Sequence, residues 1–257
     1  MWSLLFAVWG LALGSFIAAL TYRLPRNISI STGRSFCPNC KHQIAWFDNI
    51  PLFSFLFLQG KCRSCKKAIS KRYPVIEFLG LLVGLVTPFV SEAAVRNISW
   101  LNVIGLPVTF FVFAILLLFL AIIVTDFEFQ IIPDEFVFSL LGIVMFVILL
   151  SSTQTFFASV ASGLSAAMFL LTLHLVTKGR GMGLGDVKLA LPLGLLFGYP
   201  LTLVWMFSSF VSGAAVGLLM MLVGSAGMKT KLAFGPFLIF GAIITLVWGQ
   251  YLLSFFI

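Results

Sequence analysis

Two aspartates, far apart in the chain, occupy positions where hydrolytic chemistry is possible. Asp126 directly follows the apolar residues 120–125, at the expected inner edge of the hydrocarbon, where a charged carboxylate is costly, by about 2.5–3.5 kcal/mol at full depth. Asp186 ends a glycine-rich segment that begins at Gly181. Two carboxyls that share a proton titrate in coupled steps, so one can act as a base toward water while the other polarises a carbonyl. The pair therefore predicts the dyad of an aspartic hydrolase. Most carboxylates at helix ends are simple interfacial charges, and this is how we interpret Glu128 and Glu135.

Glycines alternate with other residues just before Asp186, at Gly181, Gly183 and Gly185. They are expected to remove side chains and to permit positive φ ahead of a helix. Backbone can then approach a substrate chain closely, with Asp186 near a helix N-terminus. A nucleotide-binding loop is the alternative, but no strand precedes the segment and the Gly-Lys-Ser/Thr of a Walker motif is missing.

All four cysteines lie in two pairs with the spacing of a zinc ribbon, Cys37 with Cys40 and Cys62 with Cys65. Each pair can present two thiolates to one ion at about 2.3 Å, provided that the connecting segment folds back as a short hairpin. A closed four-sulfur site leaves no position for water, so we expect structural Zn²⁺. Redox-active dithiols and a catalytic metal are the alternatives, and a reducing cytoplasm disfavours disulfides.

The two histidines are expected to have no catalytic role. His42 follows Cys40 by two residues and is interpreted as a solvated loop residue, because four thiolates already complete the site. His174 lies in an apolar run and is expected to be buried with a hydrogen-bonded partner.

Long apolar runs must position these groups, since 61% of the 257 residues are hydrophobic and 9% are charged. A straight span needs about 20 residues to cross a hydrocarbon core of about 30 Å. The sequence predicts an all-α polytopic membrane protein with about eight transmembrane helices, two of them short, in eight apolar runs: 2–22, 75–90, 101–124, 136–150, 155–177, 187–199, 201–224 and 232–255.

The positive charge is concentrated in one loop. Ten of the 16 Lys and Arg residues lie between Arg23 and Arg72, so the net charge of +8 indicates a cytoplasmic loop and not a nucleic-acid partner. By parity, the N-terminus is then periplasmic and the loops 125–135, 178–186 and 225–231 are inside. Arg96 is the one cation predicted to lie outside.

Three domains follow from this pattern. Residues 1–22 are expected to form a retained first helix, because the first 22 residues carry no Lys or Arg and no small-residue cleavage site follows. Residues 23–74 form a small cytoplasmic zinc-ribbon-like loop domain, and residues 75–257 form the transmembrane domain that carries the aspartates.

These blocks together resemble the type IV prepilin peptidase family of GxGD membrane proteases, over nearly the whole chain. Gly183 to Asp186 matches the GxGD signature, and Asp126 followed by Ile132-Pro133-Asp134 matches the other catalytic block. The cysteine loop and Gly235-Pro236-Phe237 also match. Ala18 departs from the family, since many relatives have asparagine there.

The resemblance implies an aspartic endopeptidase of the bacterial inner membrane that removes the basic leader of prepilins or pseudopilins on the cytoplasmic side. Asp126 and Asp186 would be catalytic, and Gly183, Gly185, Asp134 and Lys188 would form the substrate or backbone loop. Longer family members are also thought to methylate the new N-terminus with S-adenosylmethionine, and Glu77 is associated with that activity by resemblance only.

Three other interpretations stay open from the residues alone. A zinc-binding membrane scaffold or sensor would keep its function without the aspartates. An ion transporter would place carboxylates near the bilayer midplane and show an inverted repeat, which we do not detect. A presenilin-like protease would carry a Pro-Ala-Leu element, which this chain lacks. The particular substrate and the oligomeric state are not specified by the sequence.

Overall fold

The computed structural model describes residues 2–30, 35–103, 107–179, 181–223 and 233–255. The predicted inner loop 225–231 and Arg180 lie outside these ranges. The described chain is helical, without any strand element, and its helices are α1 (Trp2–Arg23), α2 (Phe53–Phe57), α3 (Arg72–Asn97), α4 (Val108–Phe129), α5 (Asp134–Leu149), α6 (Thr153–Val176), α7 (Leu184–Phe197), α8 (Leu201–Leu222) and α9 (Gly235–Leu253).

Six of these helices are long and apolar enough to cross a membrane, namely α1, α3, α4, α6, α8 and α9. The all-α polytopic class is thus confirmed. Helices α5 and α7, with 16 and 14 residues, correspond to the two short predicted runs. They are shorter than the roughly 20 residues of a straight span. The sidedness of the chain stays a prediction.

The largest boundary error concerns the third apolar run. Residues 101–124 were expected to be one span, but Ser99–Val103 form a 3-10 helix and α4 begins only at Val108. At its other end α4 continues to Phe129, and Gln130 ends it in a left-handed conformation. Asp126 therefore lies inside the last turn of α4 and not beyond the helix.

The chain divides into two compact units, Met1–Pro88 with Phe113–Ala121, and Phe89–Val112 with Ile122–Ile257. In the first unit two glycines of α1, Gly10 and Gly14, pack closely on α3. A Cβ atom on Gly10 would collide with the carbonyl of Gly80, and one on Gly84 would collide with the carbonyl of Phe6. Such close backbone approach is typical of helix packing in lipid.

The second unit contains both aspartates and pairs its helices in the same way. A Cβ on Gly194 of α7 would lie 2.8 Å from Gly163 Cα of α6. Between α8 and α9, the indole nitrogen of Trp205 donates to the Leu238 carbonyl at 2.8 Å. These contacts fix α7 and α9, whose N-termini carry the candidate site.

Candidate active site

Asp126 is anchored at the beginning of α9. Its side chain is buried, with the residue only 6% exposed, and its Oδ2 accepts a hydrogen bond from the Gly235 amide at 3.0 Å. Gly235 is the first residue of α9, so the carboxylate lies at a helix N-terminus. The unsatisfied amides and the dipole at this end of a helix favour a negative charge.

Asp186 is held in the same manner by its own helix. It is the third residue of α7 and 7% exposed, and its Oδ2 accepts a hydrogen bond from the amide of Gly183, the N-cap residue, at 3.1 Å. This reach back from the third helical residue to the N-cap amide is one half of a capping box. The expectation that Asp186 lies near a helix N-terminus agrees with this position.

The two aspartates meet around Ile132, which is buried. A Cβ atom on Gly235 would lie 2.6 Å from Asp126 Oδ2 and 3.2 Å from Ile132 Cδ1. A Cβ on Gly185, next to Asp186, would lie 3.2 Å from Ile132 Cβ. Ile132 therefore packs against Gly235, whose amide binds Asp126, and against Gly185, which directly precedes Asp186.

One oxygen of each carboxylate is left for chemistry. Among the described residues, Asp126 and Asp186 each accept a single protein hydrogen bond, and both do so through Oδ2. Within the part of the chain that the structure describes, no protein group donates to either Oδ1 atom. Two carboxylates oriented by backbone amides, each with one oxygen available, can hold a water molecule and a substrate carbonyl.

The glycines before Asp186 matter because they lack a side chain, and not because they adopt a positive φ. Gly183 is extended, at φ −75° and ψ 150°, and positive φ occurs instead at Lys178 and Gly179. The expectation of positive φ at Gly181, Gly183 and Gly185 is therefore wrong. A Cβ on Gly183 would lie 3.1 Å from Asp186 Oδ2, so the missing side chain makes room for the Asp186 carboxylate.

The end of α6 holds this glycine segment in place. His174 Nδ1 lies 2.7 Å from the carbonyl oxygen of Met182, which precedes the N-cap residue of α7. Since a carbonyl only accepts, Nδ1 carries the proton. The hydroxyl of Thr177 accepts a hydrogen bond from the Gly181 amide at 3.2 Å. The expected partner of His174 is thus a backbone group of the loop that leads to Asp186.

Lys188 and Asp134, both predicted to belong to the substrate loop, pair with each other. Lys188 Nζ lies 2.7 and 3.0 Å from the two carboxylate oxygens of Asp134, and both side chains are about half exposed. The pair joins the first residue of α5 to α7. This ion pair links α5 to α7 close to Asp186.

Two protein-family models and several known proteins match the sequence of this chain. The Bacterial Peptidase A24 N-terminal domain family matches residues 8–90, and the Type IV leader peptidase family matches residues 111–218. A protein of Bacillus subtilis named prepilin leader peptidase/N-methyltransferase is 33% identical, over 100% of this chain and 98% of its own. The chain belongs to the type IV leader peptidase family.

Relatives of the same name occur in Stutzerimonas stutzeri, 32% identical over 95% of this chain and 89% of that one, and in Pseudomonas aeruginosa, 32% identical over 94% and 88%. No solved structure matches the chain. The family resemblance inferred from the motifs is confirmed, and the matched region 111–218 includes both aspartates.

The other matched region of this leader peptidase contains the cysteines. Their Sγ atoms all lie within 4.8 Å of one another, and Cys37 Sγ is 3.9 Å from Cys65 Sγ. A tetrahedron with Zn–S bonds of about 2.3 Å requires sulfur–sulfur distances of about 3.8 Å. The four thiols therefore fit one tetrahedral ion. The backbone amides of Cys65 and Ser64 hydrogen-bond to the Cys62 sulfur and lower the pKa of that thiol to about 7, whereas the pKa of the Cys40 thiol in the same cluster is raised to about 11. The fit to a metal ion therefore rests on the spacing of the four sulfurs.

The cluster is formed by two turns of the same conformation, and the second turn follows the first by 25 residues. The amide of Lys41 donates to the Cys37 carbonyl and the amide of Lys66 donates to the Cys62 carbonyl, both at 2.9 Å. Both lysines have φ of 60°. The shared Cys-x-x-Cys-Lys pattern could have revealed the repeat. The connecting segment is not the predicted hairpin, because it forms a 3-10 helix, Trp46–Asn49, and α2.

Glu77 is buried near the start of α3 and is fully engaged within its unit. Its Oε1 accepts from the Ser15 hydroxyl and its Oε2 from the Leu52 amide, both at 2.8 Å. Leu52 has an unusual backbone, at φ 59° and ψ −49°, and the Phe53 amide donates to the Pro51 carbonyl at 2.6 Å. Glu77 therefore holds a strained three-residue turn of the cysteine loop between α1 and α3.

Three contributors to the site escaped the sequence reasoning: the Gly235 amide, the Ile132 side chain and the His174 anchor. Gly235 and Ile132 lie within motifs that carried the family resemblance, but neither motif indicates a contact with an aspartate. The close approach of Gly235 depends on how α9 packs, which has no local signal in the sequence.

Proposed function

We propose that this protein is a membrane aspartic endopeptidase that removes the basic leader from prepilins or pseudopilins on the cytoplasmic side, and that it methylates the new N-terminus with S-adenosylmethionine. One observation carries the peptidase activity: two buried aspartates flank Ile132, and each is oriented by a backbone amide at a helix N-terminus. The family membership and the names of the relatives support the substrate and both reactions.

Asp126 and Asp186 would share one proton in the resting site. The ionised carboxylate takes a proton from water as the water oxygen attacks the scissile carbonyl, and the protonated carboxyl donates a hydrogen bond to the carbonyl oxygen. The tetrahedral species then collapses, the C–N bond breaks, and the amine nitrogen receives a proton. The free Oδ1 atoms are the groups that would contact water and substrate.

The loop at 178–183 and the Lys188–Asp134 pair would keep the dyad in position. His174 and Thr177 hold the loop that precedes Asp186, while the ion pair joins α5 to α7. Gly183 and Gly185 let the carboxylate and Ile132 approach the backbone closely. These residues would act on geometry and not on the reacting atoms.

The cysteine cluster, Cys37, Cys40, Cys62 and Cys65, would bind structural Zn²⁺. Its donor set and spacing fit a closed tetrahedral site, which stabilises a loop that has little apolar core of its own. Glu77 would help to hold that loop, because its two oxygens accept hydrogen bonds from the Ser15 hydroxyl and the Leu52 amide, and its association with methylation stays a proposal drawn from the family resemblance.

The domain division follows from these roles. We assign residues 1–22 to the first transmembrane helix, with its N-terminus in the periplasm, residues 23–74 to the zinc-binding cytoplasmic loop, and residues 75–257 to the transmembrane peptidase domain. The chain is a multi-pass protein of the inner membrane, and the substrate helix would stay in the lipid.

The test is a cleavage assay on the purified protein with a prepilin, with and without S-adenosylmethionine, in which product mass is read. Asp126→Asn and Asp186→Asn are each expected to lower cleavage by about 10³-fold or more, as removal of one member of a catalytic unit does. Glu135→Gln, an exposed carboxylate in the first turn of α5, is the matched control and should retain the wild-type rate.

The mass spectrum separates the outcomes. Loss of the leader together with one added methyl supports both activities, and loss of the leader alone supports only the peptidase. Full cleavage by either asparagine variant would refute the dyad. No mass change with any pilin-like substrate would favour the zinc-binding scaffold.

A further inference from the structure

A short stretch of the cysteine loop exposes large apolar side chains. We call Trp46–Phe57 the aromatic segment. Trp46 is 75% exposed, Leu56 71% and Phe57 84%, and Phe53 is also exposed. In α2, Phe53, Leu56 and Phe57 occupy positions i, i+3 and i+4 and therefore share one face.

The opposite side of α2 is the polar one. Ser54 is buried, and its hydroxyl donates to the Phe47 carbonyl at 2.8 Å. The helix thus buries its serine and presents Phe53, Leu56 and Phe57 outward, the reverse of a helix on a water-soluble domain. An exposed apolar surface of this kind marks a contact with a partner or a membrane.

The position of the segment along α1 and α3 indicates the membrane. Glu77, which accepts from the Leu52 amide, lies five residues inside the candidate span that starts at Arg72, or about 7 Å along the helix axis. Its other partner, Ser15, lies eight residues before the end of α1 at Arg23, or about 12 Å. Leu52 is therefore level with residues inside two candidate spans and not beyond their ends.

The charge of the loop suits an anionic surface. Residues 23–74 contain ten Lys and Arg residues and a single acid, Asp48. Arg63 binds both oxygens of Asp48, at 2.8 and 2.6 Å, and this hydrogen-bonded guanidinium holds the pKa of that carboxyl below its ordinary value. The lysines at 61, 66, 67 and 71 are exposed. Such lysines attract anionic lipid headgroups.

We propose that the aromatic segment is an interfacial anchor, with Trp46, Phe53, Leu56 and Phe57 inserted at the headgroup boundary of an anionic lipid bilayer and the lysines of the loop against its headgroups. Tryptophan prefers this boundary, and an apolar helical face flanked by cations binds there. The anchor would hold the cysteine cluster against the membrane surface. This inference does not depend on the peptidase activity.

Trp46 is a native reporter for the test. The protein is reconstituted into vesicles of phosphatidylcholine and phosphatidylglycerol, with brominated or plain phosphatidylcholine chains. The chain has six tryptophans, so the emission of a Trp46→Phe variant is subtracted to isolate Trp46. Acrylamide measures the access of water to the same side chain. The measurement is made first without prepilin and is then repeated after prepilin is added.

Brominated lipid is expected to lower the Trp46 emission by about twofold or more, while acrylamide quenches it weakly, as for an interfacial tryptophan. Strong acrylamide quenching with no effect of bromine would overturn the proposal. Protection from acrylamide that appears only after prepilin is added would also overturn it, and would assign the face to the substrate.

A second variant tests the apolar face itself. Leu56→Ser combined with Phe57→Ser should weaken the bromine quenching of Trp46, while Ala68→Ser, at an exposed position of the same loop, should not. Retention of bound zinc by both variants shows that the loop is folded. Equal bromine quenching in both variants would contradict a role for α2 in the anchor.

Discussion

Replacing Gly235 by alanine is the sharpest test of the site, because it adds one methyl group and keeps the amide that binds Asp126. The new Cβ atom would lie 2.6 Å from Asp126 Oδ2 and 3.2 Å from Ile132 Cδ1. Ordinary van der Waals contact begins at about 3.4 Å, so the carboxylate must move by about 0.8 Å, or α9 must shift as a whole. Both changes alter the distance between the two carboxyl groups.

A displacement of about 1 Å at a catalytic group costs on the order of 100-fold in rate. We therefore expect Gly235→Ala to lower kcat by about 10-fold to 100-fold, with a smaller change in KM because the added methyl group presses on Asp126 and Ile132. The assay is single-turnover cleavage of a prepilin in detergent, with the product quantified by mass.

Gly142→Ala is the matched control. Gly142 lies within α5, and no atom lies within 4 Å of the Cβ that alanine would add. Alanine in a helix interior is favoured over glycine by roughly 0.5–1 kcal/mol, so this variant should be at least as stable and fully active. A Gly235→Ala enzyme with a wild-type rate would refute the proposed packing, and an equal loss in both variants would indicate a general effect on folding.

Three further predictions concern the surroundings of the dyad and the loop. His174→Ala should lower kcat by roughly threefold to 10-fold, the worth of one hydrogen bond of about 0.5–1.5 kcal/mol, and His174→Asn, whose amide can donate to the Met182 carbonyl, should recover most of that loss; equal rates for both variants would contradict the anchor. Lys188→Met should change the free energy of unfolding by less than about 1 kcal/mol, since its ion pair is half exposed, and a loss that high salt does not reduce would show that more than an ion pair is involved. Cys62→Ser should release bound zinc and increase proteolysis of residues 35–71, yet slow cleavage far less than Asp186→Asn does; unchanged proteolysis would argue against a structural ion.

The helical architecture could be predicted because each membrane-spanning helix appears in the sequence as a continuous apolar run. The prediction failed at the start of the third run, where Ser99–Val103 form a 3-10 helix and α4 begins only at Val108. Hydropathy does not register this 3-10 helix, because its buried residues Trp100 and Leu101 are as apolar as residues in a span. The end of α4 was misplaced for a similar reason, since the polar residues after Thr125 continue the helix to Phe129.

The two aspartates of the candidate site could be predicted from the sequence, but the groups that hold them in position could not. Asp126 and Asp186 stand out because a carboxylate beside an apolar run is expensive. The amide donors are backbone groups, which every residue has, and only the packing of α7 and α9 decides that those of Gly183 and Gly235 are used. His174 likewise contacts a backbone group, the Met182 carbonyl, eight residues further along the chain. No sequence spacing indicates such a contact between a side chain and the backbone.

The glycines show most clearly what a motif leaves unsaid. Alternating glycine suggested left-handed backbone, yet Gly183 is extended and the left-handed residues are Lys178 and Gly179, one turn earlier. Three glycines share a property: a Cβ atom would press on a neighbouring side chain. That atom would lie 3.1 Å from Asp186 at Gly183, 3.2 Å from Ile132 at Gly185 and 2.6 Å from Asp126 at Gly235. A buried acid must be brought close to backbone donors to be oriented in low dielectric, and glycine is the residue that permits this approach. The motif therefore preserves a distance between backbone and carboxylate, which explains why glycine is needed both before α7 and, far along the chain, at the start of α9.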